Sequence, residues 1–207
     1  LGDRFEGEGV SIKPWPCCRF TNSHVDAALQ IAQKEHVDPR SISRITLYYA
    51  EDETKRCLDP LDLRRNPQTI PEAKLSLPFT VAQALAYRKV EIGDFGKSSL
   101  SDPVLKRLCS ITFPEYDESL KSSLSKTMLP GRVLVETDDG AVYDKRVDVV
   151  YGHPRNRMKW SDLAGKFRDC ASFGKKRMNV GEVDEVIDMI GDLEKVEDVS
   201  RIMDAIR

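Results

Sequence analysis

Lys13–Leu29 reads KPWPCCRFTNSHVDAAL, and the fold turns on how its stiff lead-in meets the helix behind it. Pro14 and Pro16 fix their own φ and push the residues before them out of helical conformation, so the lead-in runs extended. Thr21, Asn22 and Ser23 offer side-chain oxygens suited to capping a helix start. Val25, Ala28, Leu29 and Ala32 then recur at helical spacing on one apolar stripe, which predicts a helix from about Ser23 to Glu35. Lys13 and Arg19 therefore stand close in sequence to the open N–H groups of that helix. Those groups and the helix dipole favour negative charge, so the pattern suits an anion, a carboxylate above all. An ordinary β-to-α connection carrying two surface cations has the same pattern.

Upstream, Val10 and Ile12 alternate with polar neighbours, and Gly9–Trp15 predicts a short strand. Downstream, Arg44–Ala50 (RITLYYA) is rich in β-branched and aromatic residues and predicts another. Strand, helix and strand in this order imply two strands of one sheet with the helix on its face. The polar stretch Glu51–Ile70, with Pro60 and Pro67, predicts a loop with one helical turn. In Pro71–Arg88 (PEAKLSLPFTVAQALAYR), Ser76 precedes Leu77 and Pro78 as a capping serine does, and Val81, Ala84, Leu85 and Arg88 share a helical face. Lys74 lies just ahead of this second helix and repeats the pairing of cation and helix start. The two sites suit convergence on one polyanion; two unrelated capped helices read the same way.

Gly93–Ser99 predicts a loop, Ser101-Asp-Pro a short helix to about Cys109, and Ile111–Phe113 a strand. Lys121–Lys126 is polar and serine-rich, as a mobile connection is. Gly131–Val150 carries the clearest hairpin signal, with Val133 and Val135 on one arm, Tyr143, Val147 and Val149 on the other, and Asp139-Gly140 at the turn. Gly152-His-Pro-Arg-Asn ends it, with His153 as a boundary residue. Beyond, three helices are predicted around Trp160–Ala171, after the capping pair Asn179 and Glu182, and at Val199–Ile206. The whole is an α+β fold: a small sheet with helices on its face and a C-terminal hairpin over 1–151, followed by a C-terminal helical segment over 152–207.

The chain has 207 residues, 40% hydrophobic and 32% charged, with a net charge of −2 from interspersed signs. That balance fits a globular protein without a basic nucleic-acid surface, and no stretch of this sequence has the apolar length expected of a membrane span or the pattern of a secretory signal. Five cysteines, Cys17, Cys18, Cys57, Cys109 and Cys170, form no disulfide framework and fit reduced thiols in a cytoplasmic setting. Neither a CxxC pair nor closely spaced histidines suggest a metal, and no phosphate-loop spacing suggests a nucleotide. The first residue is Leu1 and the first methionine Met128, so the chain reads as part of a longer one.

Four stretches, LGDRFEGEGVSIKPWPCCRFTNSHVDAAL, AKLSLPFTVAQAL, GHPRNRM and KWSDLAGKFRDCASF, resemble in order the C-terminal half of the MmgE/PrpD family. That family includes 2-methylcitrate dehydratase, cis-aconitate decarboxylase and iminodisuccinate epimerase. The resemblance implies a lid domain whose last helices return to a larger helical domain that normally precedes it. It implies a cytoplasmic, homodimeric lyase or isomerase, using neither metal nor other cofactor, that removes a proton next to a carboxylate of a small di- or tricarboxylate. Lys13 matches the lysine of the family's K-P-Y-P-type segment and would bind a substrate carboxylate. Arg19 and Ser76 would hold further oxygens, and Asn22 or His24 would orient the substrate. Cys18 falls where decarboxylase-like members carry a catalytic histidine, which leaves its thiol and His24 as catalytic candidates in this chain. Many members read T-H where Thr21 is followed by Asn22, and some place a tyrosine where Phe79 stands. These departures speak against the decarboxylase and leave a dehydratase or an epimerase open, with the principal base in the helical domain. Alone, the chain would be inactive. A non-catalytic binding or assembly module with a diverged pocket is the alternative, and an enzyme split between two chains a third.

Overall fold

Helix α1 (Asn22–Lys34) is buried over every residue from Asn22 to Leu29, polar ones included. The apolar stripe predicts a half-covered helix. The structure encloses it because α5 (Leu77–Tyr87) packs on it from one direction while strands β3 (Gly131–Thr137) and β4 (Val142–Val147) pack from another. Buried polar groups need partners. Ser23 Oγ donates to the Leu129 carbonyl, and Asp26 Oδ1 accepts from Gln30 Nε2 at 2.8 Å. His24 Nε2 meets the Tyr48 carbonyl at 2.8 Å.

The expected side-chain cap on α1 is absent. A 3-10 turn, Arg19–Thr21, leads into the helix, and the Thr21 hydroxyl turns back to the Cys18 carbonyl at 2.8 Å. The second start is as predicted: Ser76 Oγ accepts from the Phe79 N–H at 3.0 Å at the head of α5.

The computed structural model describes residues 2–3, 5–121, 129–175 and 177–206, which divide into two compact units, 1–157 and 158–207. In the first, a mixed four-stranded sheet has the order β2-β1-β3-β4. Strand β1 (Ile42–Tyr49) runs parallel to β2 (Thr112–Tyr116), with Ile45 beside Thr112, and antiparallel to β3, with Ile45 beside Val135. Between β1 and β2 lie α2 (Asp52–Lys55), α3 (Leu61–Arg65), α4 (Ile70–Leu75), α5, α6 (Lys97–Ser101) and α7 (Pro103–Ser110). The first two of these correct the expectation of a single turn in 51–70, and the start of α6 falls inside the predicted loop 93–99. Pro114 is tolerated within β2 because that strand is at the sheet's edge. The hairpin β3–β4 closes at Gly140, whose φ of +84° is the left-handed conformation its turn requires.

Gly9–Trp15 is not a strand. Residues 10–14 form no regular element, and the Ile12 N–H donates to the Gly152 carbonyl at 2.9 Å. Proline has no N–H to give a ladder, and Pro14 and Pro16 end any pairing there. One face of the sheet buries Ile45, Leu47, Val133, Val135 and Val147 beneath the helices. The other carries charge: Arg44 lies 3.6 Å from Glu136 and 3.7 Å from Glu115, and Arg132 pairs with Asp144 at 2.5 Å. The serine-rich stretch 121–126 lies, from residue 122, outside the described residues.

In the second unit, α8 (Trp160–Ser172) and α9 (Val180–Gly191) pack through Ala164, Val183 and Ile187, with α10 (Ser200–Ile206) beside α9. The capping box of Asn179 and Glu182 opens α9 as predicted. Among the described residues no helix is long and apolar enough to cross a membrane.

His24 makes this fold acid-sensitive. A carbonyl only accepts, so Nε2 carries the proton towards Tyr48, and Nδ1 has no partner among the described residues. Complete burial holds the imidazole's pKa down to about 4 against 6.5 for a free one, despite the Tyr48 hydrogen bond. The unfolded chain therefore binds the extra proton first, and this contribution to stability, complete above pH 6.5, is lost as pH falls towards 4. Denaturant titrations at pH 7.5 and 4.5 should differ by about 2.5 kcal/mol from this group. A His24→Leu variant should lose that part of the slope; an unchanged slope would assign it elsewhere.

Candidate functional site: a cationic cavity at the lead-in to the first helix

The lead-in is held in place by the loop that follows the hairpin. Gly152 has φ +90°, and a Cβ there would stand 2.0 Å from the Ile12 carbonyl oxygen. Only glycine lets the two backbones meet. The loop is closed on itself by the Gly152 N–H to the Asn156 carbonyl at 2.8 Å and by Asn156 Nδ2 to the Val149 carbonyl at 2.9 Å. It is fixed to α1 by Asp26, whose Oδ2 accepts from the Tyr151 N–H at 2.9 Å.

Between lead-in and loop lies a cavity of about 260 Å³, walled by Ser11, Ile12, Lys13, Pro14, Arg19 and Asn22 on one side and Val150 and Tyr151 on the other. Pockets for drug-sized ligands start near 300 Å³, so this one is on the scale of a small acid. Its cations come from Lys13 and Arg19, the latter with its guanidinium 4.6 Å above the Phe20 ring. The Asn22 carbonyl oxygen accepts from the Cys17 thiol at 3.4 Å, which leaves the amide NH2 for a ligand oxygen. The N–H groups of Thr21 and Asn22 are not open, as the sequence suggests; the 3-10 turn directs them to the carbonyls of Cys18 and Arg19. Anion recognition here is thus supplied by side chains and not by those two N–H groups. No three His, Cys, Asp or Glu side chains among the described residues come together as a metal site requires.

Three sequence-predicted residues, Lys13, Arg19 and Asn22, therefore meet at one cavity, and the others lie elsewhere. Ser76 is fully buried; its hydroxyl accepts from Phe79 and gives its one proton to the Arg64 carbonyl, so no donor remains for a substrate oxygen. His24 is enclosed beneath β1 and β3, with the Gly131 backbone against its ring. Lys74 lies 5.5 Å above the Phe95 ring and is not part of the wall, so the two helix starts do not converge on one ligand.

Cys18 is half-buried just before Arg19 in the chain, and its thiol interacts with that of the buried Cys57. Donation by Cys57, the Phe20 N–H and the charges of Lys13 and Arg19 outweigh burial and bring the Cys18 thiol down to about 6. Its bond to Cys18 and its own burial push Cys57 up. Burial likewise raises Cys17 to about 11, against a hydrogen bond from Thr21. Sequence reasoning passed over Cys57 because nothing in its local pattern marks it. The same holds for Asp26, whose place in the core no local pattern marks. Gly152 does stand within the GHPRNRM stretch, the signal through which the loop was open to discovery.

Gly152→Ala should force Ile12 and Pro14 away from the loop and open the cavity. Calorimetric titration with citrate at low salt should show about tenfold weaker binding, the loss of roughly 1.4 kcal/mol, with helical circular dichroism retained. Equal affinity in both proteins would place the anion site elsewhere.

The family model described as the MmgE/PrpD C-terminal domain matches residues 15–189. Cis-aconitate decarboxylase of Homo sapiens is 28% identical over 198 residues, covering 93% of this chain and 39% of its own length. Its counterpart in Mus musculus is 24% identical over 200 residues, covering 95% and 40%. The chain thus spans about two fifths of the length of these curated relatives. With the family's C-terminal domain running through both of its compact units, from the residues just after Lys13 to the end of α9, the chain belongs to the MmgE/PrpD family.

Proposed function

We propose that this chain is the carboxylate-holding part of a metal-independent lyase or isomerase for small di- and tricarboxylates. The observation that carries it is the meeting of Lys13, Arg19 and Asn22 at one cavity of small-acid size. Removing a proton from a carbon beside a carboxylate builds a second negative charge next to the first. Cations already in place on that carboxylate stabilise the developing charge without reorganising at the moment of reaction. Lys13 and Arg19 supply that field, and the Asn22 NH2 adds a neutral donor that fixes the acid's orientation. Cys18, with a thiol pKa of about 6, is the group nearby whose titration suits general acid–base work at neutral pH.

The principal base then belongs to the additional length that the curated relatives possess, supplied as the family's helical domain, in a cytoplasmic homodimer. Dehydration or epimerisation fits the Cys18, Asn22 and Phe79 departures. Decarboxylation is what the names of the two relatives state of those proteins. A second reading, a binding or assembly module without turnover, is favoured by one observation: His24 is sealed in the core, away from the cavity.

An activity screen against 2-methylcitrate, citrate, cis-aconitate and iminodisuccinate, with this chain alone and with the chain extended to the relatives' length, separates the two. Turnover is expected only from the extended protein, and Lys13→Ala should lower its kcat/KM by about 10- to 100-fold, the worth of a hydrogen bond to a charged group. Undiminished turnover in that variant would remove Lys13 from the site. Turnover by the short chain would place the base within it, and silence in both proteins with citrate still bound would favour the module.

A further inference from the structure

Two cysteines far apart in the chain, Cys18 and Cys57, are held together by one short connection. The Cys18 N–H donates to the Lys74 carbonyl at 2.8 Å, and the Cys57 carbonyl accepts from the Leu77 N–H at 2.9 Å. Both backbones are thus tied to the join between α4 and α5. Their thiols interact, Cys57 closed off in the core and Cys18 reachable from outside. Lys13 and Arg19 supply positive charge to the Cys18 side of the pair. Nothing in an acid–base role for Cys18 requires a second thiol behind it.

We propose that Cys18 and Cys57 are a reversible oxidation site, Cys18 reacting with a hydroperoxide and Cys57 resolving the product to a disulfide. The Cys18 thiolate attacks one peroxide oxygen, the O–O bond breaks, and hydroxide (from hydrogen peroxide) leaves to take up a proton as water. The sulfenic acid on Cys18 is then attacked by the Cys57 sulfur. An S–S bond forms, the S–O bond breaks, and the oxygen departs with the Cys57 proton as a second water. The two thiols lose two electrons and the peroxide gains them.

Position favours this pair over the adjacent one. Cys17 is Cys18's neighbour in sequence, but its thiol is turned to Asn22, to which it donates at 3.4 Å, and to Thr21, from which it accepts at 3.2 Å. A bond between adjacent cysteines also closes a strained eight-membered ring. Two interacting thiols on backbones anchored to one common segment are the arrangement from which a disulfide closes. The Cys57 thiol and the charges of Lys13 and Arg19 favour the thiolate of Cys18, which makes Cys18 the nucleophile of the pair. In the oxidised form this thiolate is consumed, so whatever the Cys18 sulfur does beside the cationic cavity stops until a reductant restores it. The inference concerns the two sulfurs and does not depend on the carboxylate reading.

The test uses the full chain, reduced, freed of reductant and exposed at pH 7 to hydrogen peroxide in slight excess, then quenched with iodoacetamide at intervals. Non-reducing digestion and mass spectrometry should find the Cys18 and Cys57 peptides joined, lighter by two hydrogens than their sum, and separated again by dithiothreitol. Joining should proceed about tenfold faster than loss of the alkylated form of Cys170, an exposed cysteine that serves as reference. Cys17→Ser, which assigns the sulfur because Cys17 and Cys18 share a peptide, should leave the cross-link unchanged. Cys57→Ser should abolish it and leave a Cys18 sulfenic acid that dimedone traps. A Cys17–Cys18 ring, cross-links only between molecules, a Cys57 that stays alkylatable after Cys18 has oxidised, or a pair no faster than Cys170 would each overturn the proposal.

Discussion

The carboxylate of Asp26 is the constraint on which the site depends. It is buried on the second turn of α1, and its two oxygens are taken by Gln30 and by the backbone N–H of Tyr151. A buried carboxylate without donors would cost several kcal/mol, so the chain leaving β4 is held where its N–H can reach α1. With Tyr151 fixed, Gly152 follows, and its carbonyl receives the Ile12 N–H. One helix acid thereby sets the distance between the lead-in bearing Lys13 and the loop facing it, and the cavity is what remains between them.

The helix that carries this acid is enclosed rather than half-covered, and its polar residues each serve one neighbouring element. Ser23 holds the approach to β3, His24 holds β1, and Asp26 holds the exit from β4. Such bonds add little net stability to a core, yet each is expensive to leave unmade, so they specify one arrangement of sheet on helix. Asn22, at the helix start, has one amide end on Cys17 and the other at the cavity, and so joins the core to the site.

Charge and thiol chemistry share the same short stretch. Lys13 and Arg19 make the cavity cationic and also supply positive charge to Cys18, whose thiol leans on Cys57. A bound polycarboxylate would offset that charge, and a thiolate on Cys18 competes with such a ligand for it. Anion binding and the protonation of Cys18 are therefore linked through a common field, which falls off with salt.

The sequence by itself determined the α+β class, the hairpin with its turn at Gly140, the Ser76 and Asn179 helix starts and the parts of the first helix, because each depends on periodicity or on turn and cap chemistry within a few residues. The family resemblance likewise named Lys13, and local pattern grouped it with Arg19 and Asn22. Tertiary structure alone decided the rest. Whether Gly9–Trp15 pairs as a strand depends on which edge it meets, and that edge is the Gly152 loop. Ser76 and His24 offer the same side-chain chemistry in a core as at a site, and only packing shows that both are consumed within the fold. The pairing of Cys18 with Cys57 and the hold of Asp26 on Tyr151 join residues with no local relation. Contacts of that range are fixed by how α1, α4 and the hairpin pack, and packing is a property of the whole chain.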